Sequence, residues 1–457
     1  MSGARLASAV VSPPGMAVLT AAIGFGVAAL AARVPDVAVG LVMAPIVSGA
    51  IVACVIRCAR RRPGAFLAPT LIAGFVLRLM MVTAHLVIGF VIYAGAMDFI
   101  GWWGLALTIW DIVMDRPRPD VFMTTSQWFG DNFPYWTQAT TPSLILLTMG
   151  FVGPNIAAVF MVGAALSAVA AYWFYRSLES VAPDAESRHR YAKLILLFPS
   201  FAFWSVLLGK DVWTLFFMGL ATYCFALTVE RLRVLPLIGF GGALVMTALL
   251  RPHIGAVLAL GGVCALVFRP LPVSGPTLYL KPLLRVAILG GAALVMLQIG
   301  RTFIGSVGVT ALTLEALSAR AYATHAGFAS EGAGAALPLA LASGSPTDLL
   351  KFLPFGIFTL LFRPFIWEAH NPIALATALE NLVFTALVVW RLGSFRYGFH
   401  LARARPFLTY VAVVMLAGSA VLCVEWNLGA LVRHRAMVLP FLFMFLALPR
   451  KRPDAER

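Results

Sequence analysis

The sequence predicts an all-α polytopic membrane protein, and three observations lead to that prediction. Hydrophobic residues make up 61% of the 457 residues and charged residues only 12%, whereas a soluble domain carries about 25% charged residues. Apolar runs of about 17–25 residues, the length that crosses a bilayer, recur along the chain. The runs are continuous, whereas a β-barrel strand would alternate apolar and polar residues, so helices are expected to form the spans.

The apolar runs predict a helical bundle of about 12 spans in a single transmembrane domain over residues 1–457. The first run is interpreted as a retained span, because no clear small-residue cleavage site follows it. Residues 350–367 are also apolar. A span there would put the basic loop 391–405 opposite the other basic loops, so we predict a re-entrant or interfacial segment. The candidate spans are residues 15–33, 37–57, 68–97, 154–175, 192–208, 212–229, 234–250, 254–268, 283–300, 372–391, 407–424 and 436–449.

The distribution of positive charge predicts the orientation. The formal net charge is +15, but most Lys and Arg residues lie in short loops between spans, the pattern that sets orientation in a membrane. We therefore exclude a nucleic-acid partner. Basic clusters such as 60–62 and 450–452 fall on the cytoplasmic side. This predicts a multi-pass protein of the cell membrane with both termini cytoplasmic and long outer loops at about 98–142 and 301–350.

Neither the cysteines nor short motifs indicate a cofactor. The five cysteines form no metal-ligand cluster and no disulfide framework in the sequence, so redox chemistry is not predicted. Gly-rich phosphate loops, zinc-type histidine pairs and nucleophile elbows are absent as well. No cofactor is predicted with certainty, and a divalent cation stays open.

Polar and ionisable residues gather near the predicted outer ends of the spans. Such residues are costly beside a membrane unless they serve a site or reach water. These residues could form one shared site, or they could occur independently in separate loops. We favour a shared site because several of the residues are next to apolar residues. Basic groups close to apolar surface suit the phosphate of a lipid. The candidate phosphate-binding residues are Lys210, Arg251, Arg363, Arg433 and Arg435.

Two further features have a structural and a functional interpretation. Five of the eleven tryptophans lie at positions 102–136, where they suit either an interfacial aromatic belt or a platform that stacks on sugar rings. The stretch 99–113 could be an interfacial amphipathic helix. Arg78 and His85 share one face of the third span. They either line a polar cavity or make structural contacts, and we favour a structural pairing of Arg78 with Glu380.

Several stretches together resemble a family of membrane enzymes. They are Asp98-Phe-Ile-Gly-Trp-Trp-Gly, Phe198-Pro-Ser-Phe-Ala-Phe-Trp-Ser-Val-Leu-Leu-Gly-Lys-Asp, Leu250-Arg-Pro-His, Phe352-Leu-Pro-Phe-Gly-Ile-Phe with Phe362-Arg-Pro-Phe-Ile-Trp-Glu, and Asn427-Leu-Gly-Ala-Leu-Val-Arg-His-Arg. The chain resembles the polytopic GT-C-type glycosyltransferases, especially bacterial relatives of protein mannosyltransferases. The resemblance covers most of the chain in order.

The resemblance implies an inverting enzyme of the cell envelope that contributes to polysaccharide biosynthesis. It would transfer a sugar from a polyprenyl-phosphate donor to a glycan, lipid or protein acceptor on the outer face. An acid in the first outer loop would be the catalytic base. Asp98 matches the position of that base best. Many of the resembling enzymes have two adjacent acids there, and this sequence does not, so Asp131 stays a second candidate. The implied substrate-binding residues are Lys210, Asp211, Arg251, His253, Arg363, Trp367, Glu368, Asn427, Arg433 and Arg435.

Two other functions stay open. A polymerase of lipid-linked oligosaccharide repeats, similar to O-antigen polymerases, would use the outer arginines on a diphosphate and depend less on a carboxylate. A transporter of lipid-linked sugars would usually show inverted repeats and discontinuous spans. No internal repeat is evident, so the transporter is the less favoured of the two.

Overall fold

A computed structural model describes residues 36–62, 66–94, 97–114, 135–182, 184–230, 233–268, 344–424 and 427–450, with a few positions between 313 and 323. Within these ranges the regular structure is helical and no β-strand occurs. The chain divides into two compact units. The first is Met1–Asp131, Tyr135–Tyr175 and Ala192–Leu220, and the second is Asn132–Pro134, Arg176–Tyr191 and Ala221–Arg457.

The helices are numbered in chain order over the described residues. The helices up to α8 are α1 Asp36–Arg60, α2 Leu67–Val87, α3 Asp98–Val113, α4 Tyr135–Val152, α5 Ile156–Glu179, α6 Ala185–Leu197, α7 Pro199–Ser205 and α8 Lys210–Glu230. A π-helical turn, Ile88–Ile92, extends α2. The later helices are α9 Val234–Leu250, α10 Pro252–Val267, α11 Pro346–Phe362, α12 Pro372–Trp390, α13 Leu392–Ala402, α14 Pro406–Leu422 and α15 Leu428–Ala447.

Length and composition confirm the prediction of an all-α membrane protein at a coarse level. In the described ranges, 6 helices are long and apolar enough to cross a membrane, and four apolar helices are shorter. The total of about 12 spans stays a prediction, since the candidates at 15–33 and 283–300 lie outside the described residues. The long helices are Val42–Arg60, Leu67–Ile92, Ile156–Glu179, Lys210–Val229, Pro372–Trp390 and Leu428–Ala447, and the shorter ones are Ala139–Val152, Val234–Leu250, Pro252–Val267 and Pro406–Leu422.

Residues 192–208, which we predicted to be one span, are divided between α6 and α7. Pro199 is the first residue of α7, and Phe198 before it has an extended backbone with ψ of 119°. Proline lacks the N–H that would continue the helix, and it disfavours helical geometry at the preceding residue. The prediction of an uninterrupted span was therefore wrong, because an apolar run does not show where its backbone breaks.

The predicted outer loop 98–142 contains helical structure at both of its described ends. Helix α3 buries Phe99, Trp102, Ala106 and Trp110, whose spacing places them on one helix face. That face packs in the same core cluster as residues of α4 and α5. Helix α4 continues beyond the predicted loop to Val152, through residues that no candidate span covered. Helix α3 is therefore a packed element of the first unit.

Helix α15 is the most buried helix among the candidate spans. Of its apolar window 83% is buried within the protein, against 22% for α12. Helix α12 instead exposes apolar side chains such as Leu382 and Val383, as expected of a surface that meets lipid. Helix α15 is thus a central element of the second unit, and polar groups on it are held by protein contacts.

Candidate functional site

Contacts between helices show which helix ends of the second unit lie together. A Cβ placed on Gly261 of α10 would lie 3.0 Å from the Tyr410 ring of α14, and a Cβ on Gly418 of α14 would lie 3.7 Å from Val257 of α10. The two helices are therefore antiparallel. The turn at Arg251, which precedes α10, consequently lies at the same end as the connection from α14 to α15. We call this end of the second unit the break end.

Helices α11 and α12 follow one another in the chain, yet both run in the same direction as α15. Helix α11 passes Cys423 at Gly356, where a Cβ would lie 2.9 Å from Sγ. It then reaches Arg435, whose Nη1 donates to the Leu361 carbonyl at 3.2 Å. Helix α12 meets Arg435 at Asn381, and Arg391 after its last residue donates to Leu446 at 3.0 Å.

Two consecutive helices can run in the same direction only if the chain between them turns back. Residues 363–371 make that return, so α11 enters alongside α15 and does not continue to its far end. This path is compatible with the re-entrant or interfacial segment predicted for residues 350–367, and that placement in the membrane stays a prediction. The return brings Arg363, Trp367 and Glu368 to the break end.

A buried hydrogen-bond network holds the beginning of this return. Arg435 is 0% exposed, and besides Leu361 it donates to the Asn381 side-chain oxygen. The Asn381 side-chain amide donates to the Pro364 carbonyl at 3.1 Å. Arg435, which we predicted to bind substrate, therefore supports the turn. Asn381 was missed, although a polar residue in the middle of an apolar run was a signal that could have found it.

Arg363 and Glu368 form an ion pair across the return. The Arg363 Nε lies 3.1 Å from Glu368 Oε2, and a second guanidinium nitrogen contacts Oε1. The Phe365 backbone amide also donates to Oε2 at 2.8 Å. Burial by itself would raise the pKa of Glu368, but the hydrogen bonds from Arg363 and Phe365 and the charge of Arg363 together lower it. Trp367 between them is 80% exposed and stacks on Phe365 with ring centroids 4.9 Å apart.

A second pair of basic side chains joins the turn between α9 and α10 to α15. Arg251 Nη1 lies 3.1 Å from His434 Nε2, and Arg251 is only 9% exposed. A guanidinium has donors and no acceptor, so His434 Nε2 must be the acceptor and the imidazole must be neutral in this arrangement. His434 was absent from the predicted site residues, although it lies between two of them.

The other predicted residues of the break end differ in role. Asn427 is the N-cap of α15, and its side-chain oxygen accepts from the Gly429 amide at 2.8 Å. This is a structural role that asparagine commonly fills, and the substrate contact predicted for Asn427 stays a prediction. Arg433 and His253 are partly buried.

In the first unit, Lys210 and Asp211 begin α8. The Lys210 ammonium lies 5.0 Å from the centre of the Trp102 ring. The preceding Gly209 has a φ of +126°, which a residue with a Cβ rarely adopts. Asp211 is 1% exposed. Because Lys210 belongs to the first unit and Arg251 and Arg363 to the second, the prediction that all three share one pocket stays a prediction.

Of the two candidate bases, only Asp98 lies within the described residues. Asp98 is the first residue of α3 and is exposed, whereas we expected a carboxylate facing a partly shielded cavity. The expectation failed because the buried face of α3 begins one residue later, at Phe99. Asp131 lies outside the described residues. Asp111 is the acid of α3 on the buried side, at 7% exposure.

Two of the five tryptophans at positions 102–136 have structural positions. Trp102 and Trp110 are 5% and 8% exposed and pack in the core of the first unit. A ring buried in this way cannot offer an open face to a sugar or to the membrane interface. Trp103 is partly buried. The side chains of Trp128 and Trp136 are not among those that the structure describes.

Arg78 and His85 also make structural contacts within the first unit. Arg78 is 0% exposed and donates to Ser167 at 2.7 Å and to the carbonyls of Leu196 at 2.9 Å and Ile195 at 3.3 Å. A structural role was predicted, but with Glu380 as the partner, and that partner was wrong. His85 Nε2 lies 2.9 Å from the Phe203 carbonyl.

Among the described residues, no group of three or more His, Cys, Asp or Glu side chains is arranged to hold a metal ion. No protein-family model, curated protein or solved structure gives a significant match to this chain. The resemblance to GT-C-type glycosyltransferases therefore stays a prediction.

Proposed function

We propose that this protein is a membrane glycosyltransferase that moves a sugar from a polyprenyl-phosphate donor to an acceptor on the outer face. The observation that supports this proposal most is the gathering of Arg251 and Arg363 at the break end of the second unit. Each guanidinium contacts a side chain that can exchange protons, His434 and Glu368 respectively. Such a partner can give way to a phosphate oxygen.

The chemistry of the donor matches these residues. Sugar transfer leaves negative charge on the phosphate, and arginine binds phosphate oxygens through two parallel donors. Donors fixed before the reaction stabilise that charge without rearranging. The return supplies the fixed position of Arg363, because Asn381 and Arg435 hold the start of the return.

The base that removes the acceptor proton is proposed to be Asp98 or Asp131. Loss of a general base typically lowers a rate by about 10²–10⁴-fold. Asp98→Asn is expected to fold and insert normally and to lose transfer by that factor. If Asp98→Asn keeps full activity and Asp131→Asn abolishes it, Asp131 is the base. Asp115→Asn and Asp120→Asn should have little effect.

Transfer can be measured in proteoliposomes without knowing the acceptor in advance. Polyprenyl phosphates that each carry one labelled hexose would be supplied with an envelope extract as the source of acceptors. Release of free polyprenyl phosphate is the readout. Arg363→Ala should lower release, while Arg403→Ala, which alters an exposed arginine, should leave it unchanged. The proposal is contradicted if no donor releases more polyprenyl phosphate with the active protein than with heat-treated protein.

A repeat-unit polymerase is the second candidate, and the exposure of Asp98 favours it. A polymerase would depend on arginines that bind a diphosphate and less on a carboxylate. If neither aspartate matters and Arg251→Ala or Arg433→Ala abolishes activity, this function replaces the first. Lipid-linked oligosaccharide repeats would then be elongated in the same vesicles.

The proposed orientation places the break end outside and both termini in the cytoplasm. Ser394 in the loop 391–405 is fully buried in α13, so a labelling reporter belongs at the exposed Arg396. An impermeant thiol reagent added from outside should reach a cysteine at Ser330 and miss one at Arg396. The reverse labelling would invert the topology.

A further inference from the structure

The contact between Arg251 and His434 joins two basic side chains, a pair that can attract an anion when both are charged. The bond exists only while His434 accepts at Nε2, and protonation of that atom converts the acceptor into a donor. Two cations would then lie side by side. A phosphate between them would accept from both, which replaces one hydrogen bond between bases by two charge-assisted hydrogen bonds.

We propose that Arg251 and His434 form a proton-coupled binding site for the phosphate group of a prenyl phosphate. This inference rests on the proposed function for the identity of the lipid, and it adds His434 and a pH dependence to the site. Binding takes up one proton from a buffer acid or hydronium in solution, which forms the N–H bond at His434 Nε2 and leaves the conjugate base in solution. No other covalent bond forms or breaks.

The surroundings of the pair favour a bound anion. Leu250 and Ile254 beside Arg251 are 1% and 2% exposed, so charges there interact in a medium that screens them weakly. The carboxylate of Glu368 pairs with Arg363, and that of Glu380 acts on Arg435. The described charged and titratable groups at this end are Arg251, His253, Asp348, Lys351, Arg363, Glu368, His370, Glu380, Cys423, Arg433, His434 and Arg435.

The proposal predicts how affinity depends on pH. Because the bound phosphate favours protonated His434, affinity should rise as the pH falls through the range in which histidines titrate, between about 8 and 5. One linked proton limits the slope to about tenfold in Kd per pH unit. A phosphate monoester itself loses a proton near pH 6 and gains charge as the pH rises, so wild type and variant must be compared at each pH.

The test uses the purified full-length protein in nanodiscs with farnesyl phosphate as the probe, by calorimetry between pH 5.5 and 8. His434→Gln retains an acceptor for Arg251 and cannot be protonated. Its Kd should match wild type near pH 8 and exceed it about tenfold or more at pH 5.5. His400→Gln, at an exposed histidine of α13, is the matched control and should follow wild type. Arg251→Gln should bind weakly at every pH.

Two further probes identify the source of the phosphate. Inorganic phosphate binding as tightly as farnesyl phosphate would mean a site for free phosphate and would overturn the lipid assignment. Farnesol binding as tightly would mean that the phosphate contributes nothing. Equal pH dependence in wild type and His434→Gln overturns the proton coupling, even if sugar transfer is observed. Coupled binding without transfer from any donor would leave this site standing and remove the proposed function.

Discussion

Arg78 of the first unit differs from Arg251 and Arg363 of the second in the atoms that accept its hydrogen bonds. In the first unit, Arg78 donates to a serine hydroxyl and to backbone carbonyls. In the second unit, Arg251 contacts the imidazole of His434 and Arg363 contacts the carboxylate of Glu368. Carbonyl and hydroxyl partners do not change charge with pH, whereas imidazole and carboxylate partners do. An arginine within a membrane protein is therefore better classified by its partners than by its depth.

The partners of Arg78 follow from the break between α6 and α7. The Ile195 carbonyl would normally accept from the amide four residues later, but that residue is Pro199, which has no N–H. Arg78 supplies the missing donor and another to Leu196. The charge that was considered as lining a polar cavity thus completes the backbone hydrogen bonding of a broken helix.

The largest expected effect tests this interpretation directly. Arg78→Met keeps much of the side-chain volume and removes the donors to the Ile195 and Leu196 carbonyls. A buried group left without a partner costs about 1–3 kcal/mol, so we expect a loss of about 2–5 kcal/mol in the free energy of unfolding. Thermal unfolding in detergent measures it. Arg403→Met should change stability by less than about 0.5 kcal/mol. Equal melting of the two variants would contradict the structural role of Arg78.

A somewhat smaller loss is expected at Asn381, which bridges the return and α15. Asn381→Leu removes the acceptor of Arg435 and the donor to the Pro364 carbonyl. Hydrogen bonds to charged groups contribute about 1.5–3 kcal/mol, so stability should fall by about 2–4 kcal/mol. Asn381→Asp keeps an acceptor for Arg435 and should lose less. If the aspartate variant is the less stable of the two, Arg435 does not depend on this acceptor.

The first unit offers a smaller test at the start of α8. A Cβ on Gly209 would lie 3.0 Å from Trp102 Cδ1, at a φ of +126°. Gly209→Ala should cost about 1–3 kcal/mol, the range for strained backbone. Gly104 is the matched control on the helix that carries Trp102, because a Cβ there meets nothing within 4 Å. Gly104→Ala should be neutral or stabilise by up to about 1 kcal/mol. A neutral Gly209→Ala would show that the backbone at Gly209 and the Trp102 ring can both adjust.

Composition could predict the fold class because burial in lipid requires long apolar helices. It could not predict the division at Pro199 or the burial of Trp102, since apolar runs look alike whether they meet lipid or protein. The charge bias argued against a full span at 350–367, because a spanning helix would have displaced the basic loop after it, and the return after residue 362 is compatible with that argument.

The residue types of the candidate site could be predicted from the sequence, and the partners of those residues could not. Arg251, Arg363 and Glu368 were identified because charges at span ends need a reason. The partners come from elements distant in the chain, so the sequence could not distinguish Arg435, which supports a turn, from Arg251, which contacts a histidine. His434 and Asn381 were absent from the predicted site residues, because their importance depends on contacts with Arg251 and Arg435 that the sequence does not show.

The smallest expected effect concerns the ion pair of the return. Since the pKa of Glu368 is lowered in the folded protein, the pair stabilises the fold above the ordinary range of glutamate, about 4.3. This contribution is lost as the pH falls through the lowered value. Glu368→Gln should therefore be less stable than wild type at pH 7, by about 1 kcal/mol, and the difference should disappear in acid.

The measurement is thermal unfolding of both proteins between pH 7 and pH 3. Glu186→Gln removes the pair with Arg190, in which the carboxylate side chain is 79% exposed, and should leave stability nearly unchanged at every pH. A constant difference between Glu368→Gln and wild type across this range would mean that Glu368 acts through packing and not through its charge. The comparison between the units would then lose Arg363 as an arginine with a titratable partner and rest on Arg251 alone.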